Sequence, residues 1–113
     1  EGRCAVSGIQ LGLVEAAHIL PVSVTGRSDH VQNGLSLLSQ FHRAYDSGLI
    51  FLTSDYVMKI NPVRVKQLRI QGLDDGIEES IRSLGKIRLP RARRDWPDPA
   101  LIERANEIRG IVA

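Results

Sequence analysis

An α+β fold is expected, with strands and one helix in the first half and further helices near the end. Three patterns predict it. Apolar segments of strand length, Leu13-Val14 with Ala17 to Leu20 and then Leu35 to Leu38, flank a long polar loop. A second apolar run, Leu49 to Ile60, is interrupted by Thr53-Ser54-Asp55, as hairpins are. Helical spacing then recurs over Asp75 to Leu84 and again after Asp98-Pro99.

Taken in order, the first strand ends at Pro21, which cannot donate to a ladder, and a polar loop follows through Thr25-Gly26-Arg27-Ser28-Asp29-His30. A returning strand, Leu35 to Leu38, leads to Ser39, which suits the N-cap of a helix from about Gln40 to Ser47. Gly48 supplies its left-handed stop. The hairpin Leu49 to Ile60 is expected to lie behind the first half as scaffold. Over Asp75 to Leu84, Ile77, Ile81 and Leu84 share one face of a helix that ends at Gly85. Asp98 caps and Pro99 opens a final helix through about Arg109, with Leu101, Ile102, Ala105 and Ile108 as its buried side.

At 113 residues the chain is read as one domain, near the size where a bound metal or partner helps stability. Its first residue is Glu1 and Cys4 lies almost at the boundary, so it is expected to be a piece of a longer protein. Cys4 is the single cysteine, which excludes an intrachain disulfide and multi-cysteine zinc sites; a small buried hydrophobe is its expected role. No apolar run is long enough to span a bilayer and the amino terminus is not signal-like, so a cytoplasmic location is expected and no membrane partner. No repeat or low-complexity tract is present.

Net charge is +2, unevenly spread. Acidic residues outnumber basic ones by two from Glu1 to Val57, and the balance reverses to four positive from Met58 onward. Lys86, Arg88, Arg91, Arg93 and Arg94 fall within nine residues. A polyanion such as DNA is attracted to such a segment, because neutralised phosphates release condensed counterions. Arg27 and Arg43 are further candidates for phosphate contact. Trp96 can stack on a base, but flanking prolines suit it better to plug the tail onto the core.

Chemistry concentrates between residues 15 and 48. On a helix starting near Gln40, His42 and Asp46 project from one face and can grip a divalent cation, which would stabilise charge on a leaving alkoxide. His18, at the end of the facing strand, can accept a proton from water. Asn33 can bond backbone groups on both sides of the long loop, aiming the strand that bears His18, with Gly34 giving room for the approach. His30 fits no such role and is read as surface.

These residues carry a family resemblance. Ala17-His18-Ile19-Leu20-Pro21, Asn33-Gly34-Leu35 and His42-Arg43-Ala44-Tyr45-Asp46-Ser47-Gly48 resemble the motif of HNH endonucleases, the ββα-metal (His-Me finger) superfamily, in particular its restriction-endonuclease-like members. The resemblance spans Cys4 to about Leu52, with the hairpin and helices from about residue 53 to 113 as an extension. It implies His18 as general base, Asn33 as structural amide, His42 as metal ligand and Asp46 as a further ligand. One departure is informative. Many members carry an acidic ligand immediately before the catalytic histidine, where this chain has Ala17. Glu15 is set aside as a substitute, since strand alternation puts it on the face of Ala17.

The implied activity is metal-dependent hydrolysis of DNA phosphodiester bonds by the cleavage domain of a restriction-type enzyme. An oxygen-rich site suits magnesium or manganese, and the imidazole permits nickel, cobalt or zinc. No base-reading motif is visible, so sequence specificity is expected from a domain elsewhere in the full-length protein. A double-strand cut with one site per subunit implies a homodimer. The alternative is a non-catalytic DNA-binding or assembly module on a degenerate scaffold of this kind. Metal-dependent nicking abolished by His18→Ala separates the two.

Overall fold

The computed structural model describes residues 2–21 and 31–112. Strand β1 (Val14–His18) pairs antiparallel with β2 (Gly34–Leu38), Val14 opposite Leu38 and His18 opposite Gly34. β2 runs directly into helix α1 (Ser39–Asp46), completing a ββα unit. Alternation divides the ribbon into two faces. Glu15 and Ala17 share one with Leu35 and Leu37, and the last three are buried in the core together with Phe41 and Tyr45 of α1. Val14, Ala16 and His18 occupy the other, with Ser36 and Leu38.

Residues Leu38, Gly48 and Leu49 bound the helix differently from one another. α1 begins at Ser39 itself, and Leu38 at the cap position makes no side-chain bond. Ser39 is therefore not the N-cap expected from the sequence, because its hydroxyl is engaged across the ribbon instead. The C-terminus follows expectation: Gly48 takes φ +80°, its N–H donates to Tyr45 O at 3.1 Å, and the Leu49 N–H donates to Ala44 O at 2.9 Å. Those two bonds form a Schellman motif, satisfying carbonyls the helix leaves unpaired.

A three-stranded sheet follows, β3 (Ile50–Leu52), β4 (Val57–Ile60) and β5 (Gly85–Lys86), in the order β3-β4-β5. Between β4 and β5 lie helices α2 (Pro62–Ile70) and α3 (Ile77–Ile81). Helix α2 has a readable start, since the Asn61 side chain accepts from the Val63 N–H at 3.2 Å and Pro62 opens the first turn. The Asp75 to Leu84 helix is shorter than expected. It buries no residue fully: Ile81 is 41% exposed and Ile77 half-buried, and Leu84, beyond its end, packs against the core. Gly85 is not its stop but the first residue of β5, paired with Met58.

The tail from Ile87 wraps back across both sheets. Ile87 N–H donates to Tyr56 O and Arg88 N–H to Ala5 O, while Ala5 N–H donates to Ser36 O on β2. Trp96 anchors this segment: its indole Nε1 donates to Pro90 O at 2.7 Å and its ring meets Tyr56 edge-on at 5.6 Å. Tyr56 in turn donates its hydroxyl to Pro97 O. Helix α4 (Pro99–Ile108) starts as expected, with Asp98 accepting from the Ala100 N–H. Its inner face differs. Ile108 is 51% exposed, whereas Asn106 is buried and donates to Leu52 O at 2.9 Å, using a carbonyl left over at the end of β3. Cys4 is wholly buried in the core. Among the described residues no helix is long and apolar enough to cross a membrane.

Candidate active site

Asn33 closes the end of the ribbon. It is buried, and its carbonyl Oδ1 accepts from the Leu20 N–H at 2.9 Å while its Nδ2 donates to Leu20 O at 2.8 Å. The Asn33 backbone carbonyl also accepts from the Ile19 N–H at 2.9 Å. From the other side, the Tyr45 hydroxyl of α1 donates to Ile19 O at 3.0 Å. Four bonds thus hold the two residues that follow His18, where β1 has lost its ladder partner and the backbone would otherwise lack partners. Burial raises the Tyr45 hydroxyl above its ordinary pKa, outweighing the Arg109 guanidinium that lies over its ring, so it stays a donor at neutral pH.

On the α1 side a second group assembles. His42 Nδ1 lies 2.8 Å from Glu15 Oε1, Ser39 Oγ donates to Glu15 Oε2 at 2.7 Å, and His42 Nε2 lies 3.3 Å from Asp46 Oδ2. The i,i+4 spacing of His42 and Asp46 explains the last contact. Glu15 contacts His42 at Nδ1, away from the nitrogen that faces Asp46. Alternation does put it on the face of Ala17, but that is the face α1 covers, so it reaches His42 rather than being turned away from it. Ser39 and Glu15 were both legible as α1-side neighbours once Glu15 is paired with Leu37, the penultimate residue before the helix.

The hydrogen bond to His42, and after it the one from Ser39, hold the Glu15 carboxyl below its ordinary value of 4.5. A folded value below the unfolded one means that the contribution of Glu15 to stability is complete above pH 4.5 and is lost as pH falls through the lowered value. Melting temperatures of the wild type and Glu15→Gln are therefore expected to differ near ~pH 7 and to converge as pH falls below the lowered value. A gap of equal size at both ends would contradict the assignment.

The donor set suits a divalent cation of a particular kind. Ligands about 2.1 Å from an octahedral cation stand about 3 Å apart, close to the separation of His42 Nε2 and Asp46 Oδ2. Nδ1 is taken by Glu15, the arrangement in which a carboxylate fixes the ring and leaves the other nitrogen for metal. Glu15 and Asp46 sit at opposite nitrogens, and among the described residues no three His, Cys, Asp or Glu side chains form a cation site. The fit is to an open site with two protein ligands, the remaining positions going to water and substrate oxygens.

His18 lies on the ribbon's other face, half-buried, in the wall of a cavity of about 550 Å³ that Arg3, Arg88, Leu89, Asp95 and Pro97 also line. His18 and Glu15, which contacts His42, thus lie on opposite faces of the ribbon. The cations singled out by sequence are scattered by comparison. Arg88 lines the His18 cavity. Arg43 is exposed on α1 beside His42, and Arg93 lies 5.0 Å from the Trp96 ring centroid. Lys86, Arg91 and Arg94 are exposed and do not line the cavity. Arg27 and His30 fall outside the described residues.

Comparison with known proteins gives three findings. Residues 4–53 match a family model described as HNH endonuclease. A solved structure, a modification dependent TagI restriction endonuclease, matches with a TM-score of 0.60 at 22% identity, over 94% of this chain and 33% of that one. The chain thus spans about a third of the length of that protein, and the likeness is one of fold. No curated protein matches the chain.

Proposed function

We propose that this chain, whose residues 4–53 match the HNH endonuclease family model and whose fold resembles that of a restriction endonuclease, hydrolyses DNA phosphodiester bonds with a histidine base and one divalent metal ion. The observation that carries this reading is the fixed His42 ring, tied to Glu15 through Nδ1 and turned to Asp46 through Nε2. HNH nucleases generally use a divalent metal ion. Here His42 Nε2 and Asp46 Oδ2 would hold it, and bound there it would supply charge stabilisation at the phosphate oxygens. Magnesium or manganese suits so open a site, because both retain several waters.

The remaining roles belong to the chain itself. His18 would take a proton from the attacking water in the cavity that it lines. Asn33 and Tyr45, by fixing Leu20 and Ile19, would keep the His18 backbone from drifting. Glu15 would hold the His42 tautomer. Ser39 would steady Glu15.

Manganese titration by calorimetry tests the metal half of this reading. Glu15→Gln is expected to bind Mn²⁺ about 10- to 100-fold more weakly than wild type, and His42→Ala to lose specific binding. Unchanged affinity in His42→Ala would remove the basis for the metal site.

A further inference from the structure

The cavity that His18 lines is bounded on its far side by two cations, of which Arg3 was not anticipated. Both meet at Gly8. Arg3 Nη1 donates to Gly8 O at 3.2 Å. The Arg88 guanidinium lies across Gly8 so closely that a Cβ there would stand 2.7 Å from Cζ and 2.8 Å from Nη2. Gly8 also takes φ +78°, which lets its N–H donate to Cys4 O at 2.8 Å and close the turn. The Arg88 backbone is clamped as well, its N–H donating to Ala5 O at 2.8 Å.

Two guanidinium groups held near one glycine repel each other unless an anion lies between or beside them. Asp95 lines the same cavity, yet neither arginine forms an ion pair with it or with any other described residue. Ala16, Gly34 and Ser36, all small, also line the cavity, which leaves room for a backbone beside His18. An arginine fork matches phosphate geometry.

We propose that Arg3 and Arg88 bind a backbone phosphate of the DNA strand being cut, beside the scissile one that His18 faces. This rests on the reading of His18 as the base. It separates Arg88 from the other tail cations and sets the strand's course across the ribbon face opposite α1.

The test is duplex binding by fluorescence anisotropy across a salt series, with His18→Ala as the parent so that the probe is not cleaved. Adding Arg88→Gln is expected to flatten the slope of log K against log salt by about 0.9, the signature of one lost phosphate contact. Arg104→Gln, an exposed cation on α4, serves as control and is expected to leave the slope unchanged. Arg3→Gln is expected to flatten the slope as Arg88→Gln does, since both cations line the same cavity. An unchanged slope in folded Arg88→Gln, or no measurable duplex binding by the parent at low salt, overturns the inference. Should the wild type cleave DNA while Arg88→Gln leaves the slope intact, only the phosphate site fails. Should no metal support cleavage while Arg88→Gln still flattens the slope, the phosphate site stands and the hydrolytic reading fails.

Discussion

His18→Ala is expected to slow single-turnover DNA cleavage about 100- to 10,000-fold, the usual contribution of a positioned general base. The fold should survive. The residues after His18 are held by Asn33 and Tyr45, and the His18 backbone remains paired with Gly34. Metal affinity should survive too, because the Glu15–His42–Asp46 group lies on the other face of the ribbon. Loss of rate with unchanged circular dichroism and unchanged Mn²⁺ affinity is the pattern a base produces. Cleavage at the wild-type rate would assign proton transfer elsewhere, and a parallel loss of metal binding would make His18 a ligand instead.

Asn33→Ala is expected to have the largest effect on stability of any single change in the site. It strips two hydrogen bonds from Leu20, a residue fully buried in the core. Its N–H and carbonyl would each be left without these partners, at about 1–3 kcal/mol apiece. Allowing for some relaxation, the loss in urea unfolding should be about 2–4 kcal/mol, a large fraction of what a domain of this size has. Asn33→Asp should not rescue it, since a carboxylate oxygen would then face the Leu20 carbonyl. A loss below about 0.5 kcal/mol, the range of ordinary surface substitutions, would show that the Leu20 groups find other partners.

How far the sequence discloses this molecule depends on what each residue answers to. The ββα unit, the hairpin and the Asp98-Pro99 helix start are local events, set by alternation, a breaker or a cap, and all three are readable. Helix α2 was missed although Asn61-Pro62 announces its start. Val63 and Ile70 are 65% and 80% exposed, and only Val65 is buried, so no periodic stripe marks it. β5 is two residues long and exists only because β4 offers an edge. Over Asp75 to Leu84 the opposite error arises, since helical spacing implies one continuous buried helix where the fold keeps only Ile77–Ile81 helical, with Ile81 exposed, and packs Leu84 on the core after it ends.

Within the candidate site, His42 and Asp46 meet because a helix spaces them so, and that much is arithmetic. Glu15 required knowing which ribbon face α1 covers. Strand period alone says only that Glu15 and His18 look opposite ways. The meeting of Arg3 with Arg88 at Gly8 was hidden for a different reason: the two arginines are 85 positions apart, and only the tail's return to Ala5 joins them.

The most direct test of the proposed hydrolytic centre is nicking of supercoiled plasmid by this chain with Mg²⁺ or Mn²⁺, against EDTA and against His42→Ala. The expected result is nicking that appears with metal, disappears in EDTA and is absent from folded His42→Ala. Nicking that persists in EDTA, or that His42→Ala performs as well as the wild type, would contradict a metal centre on His42 and Asp46.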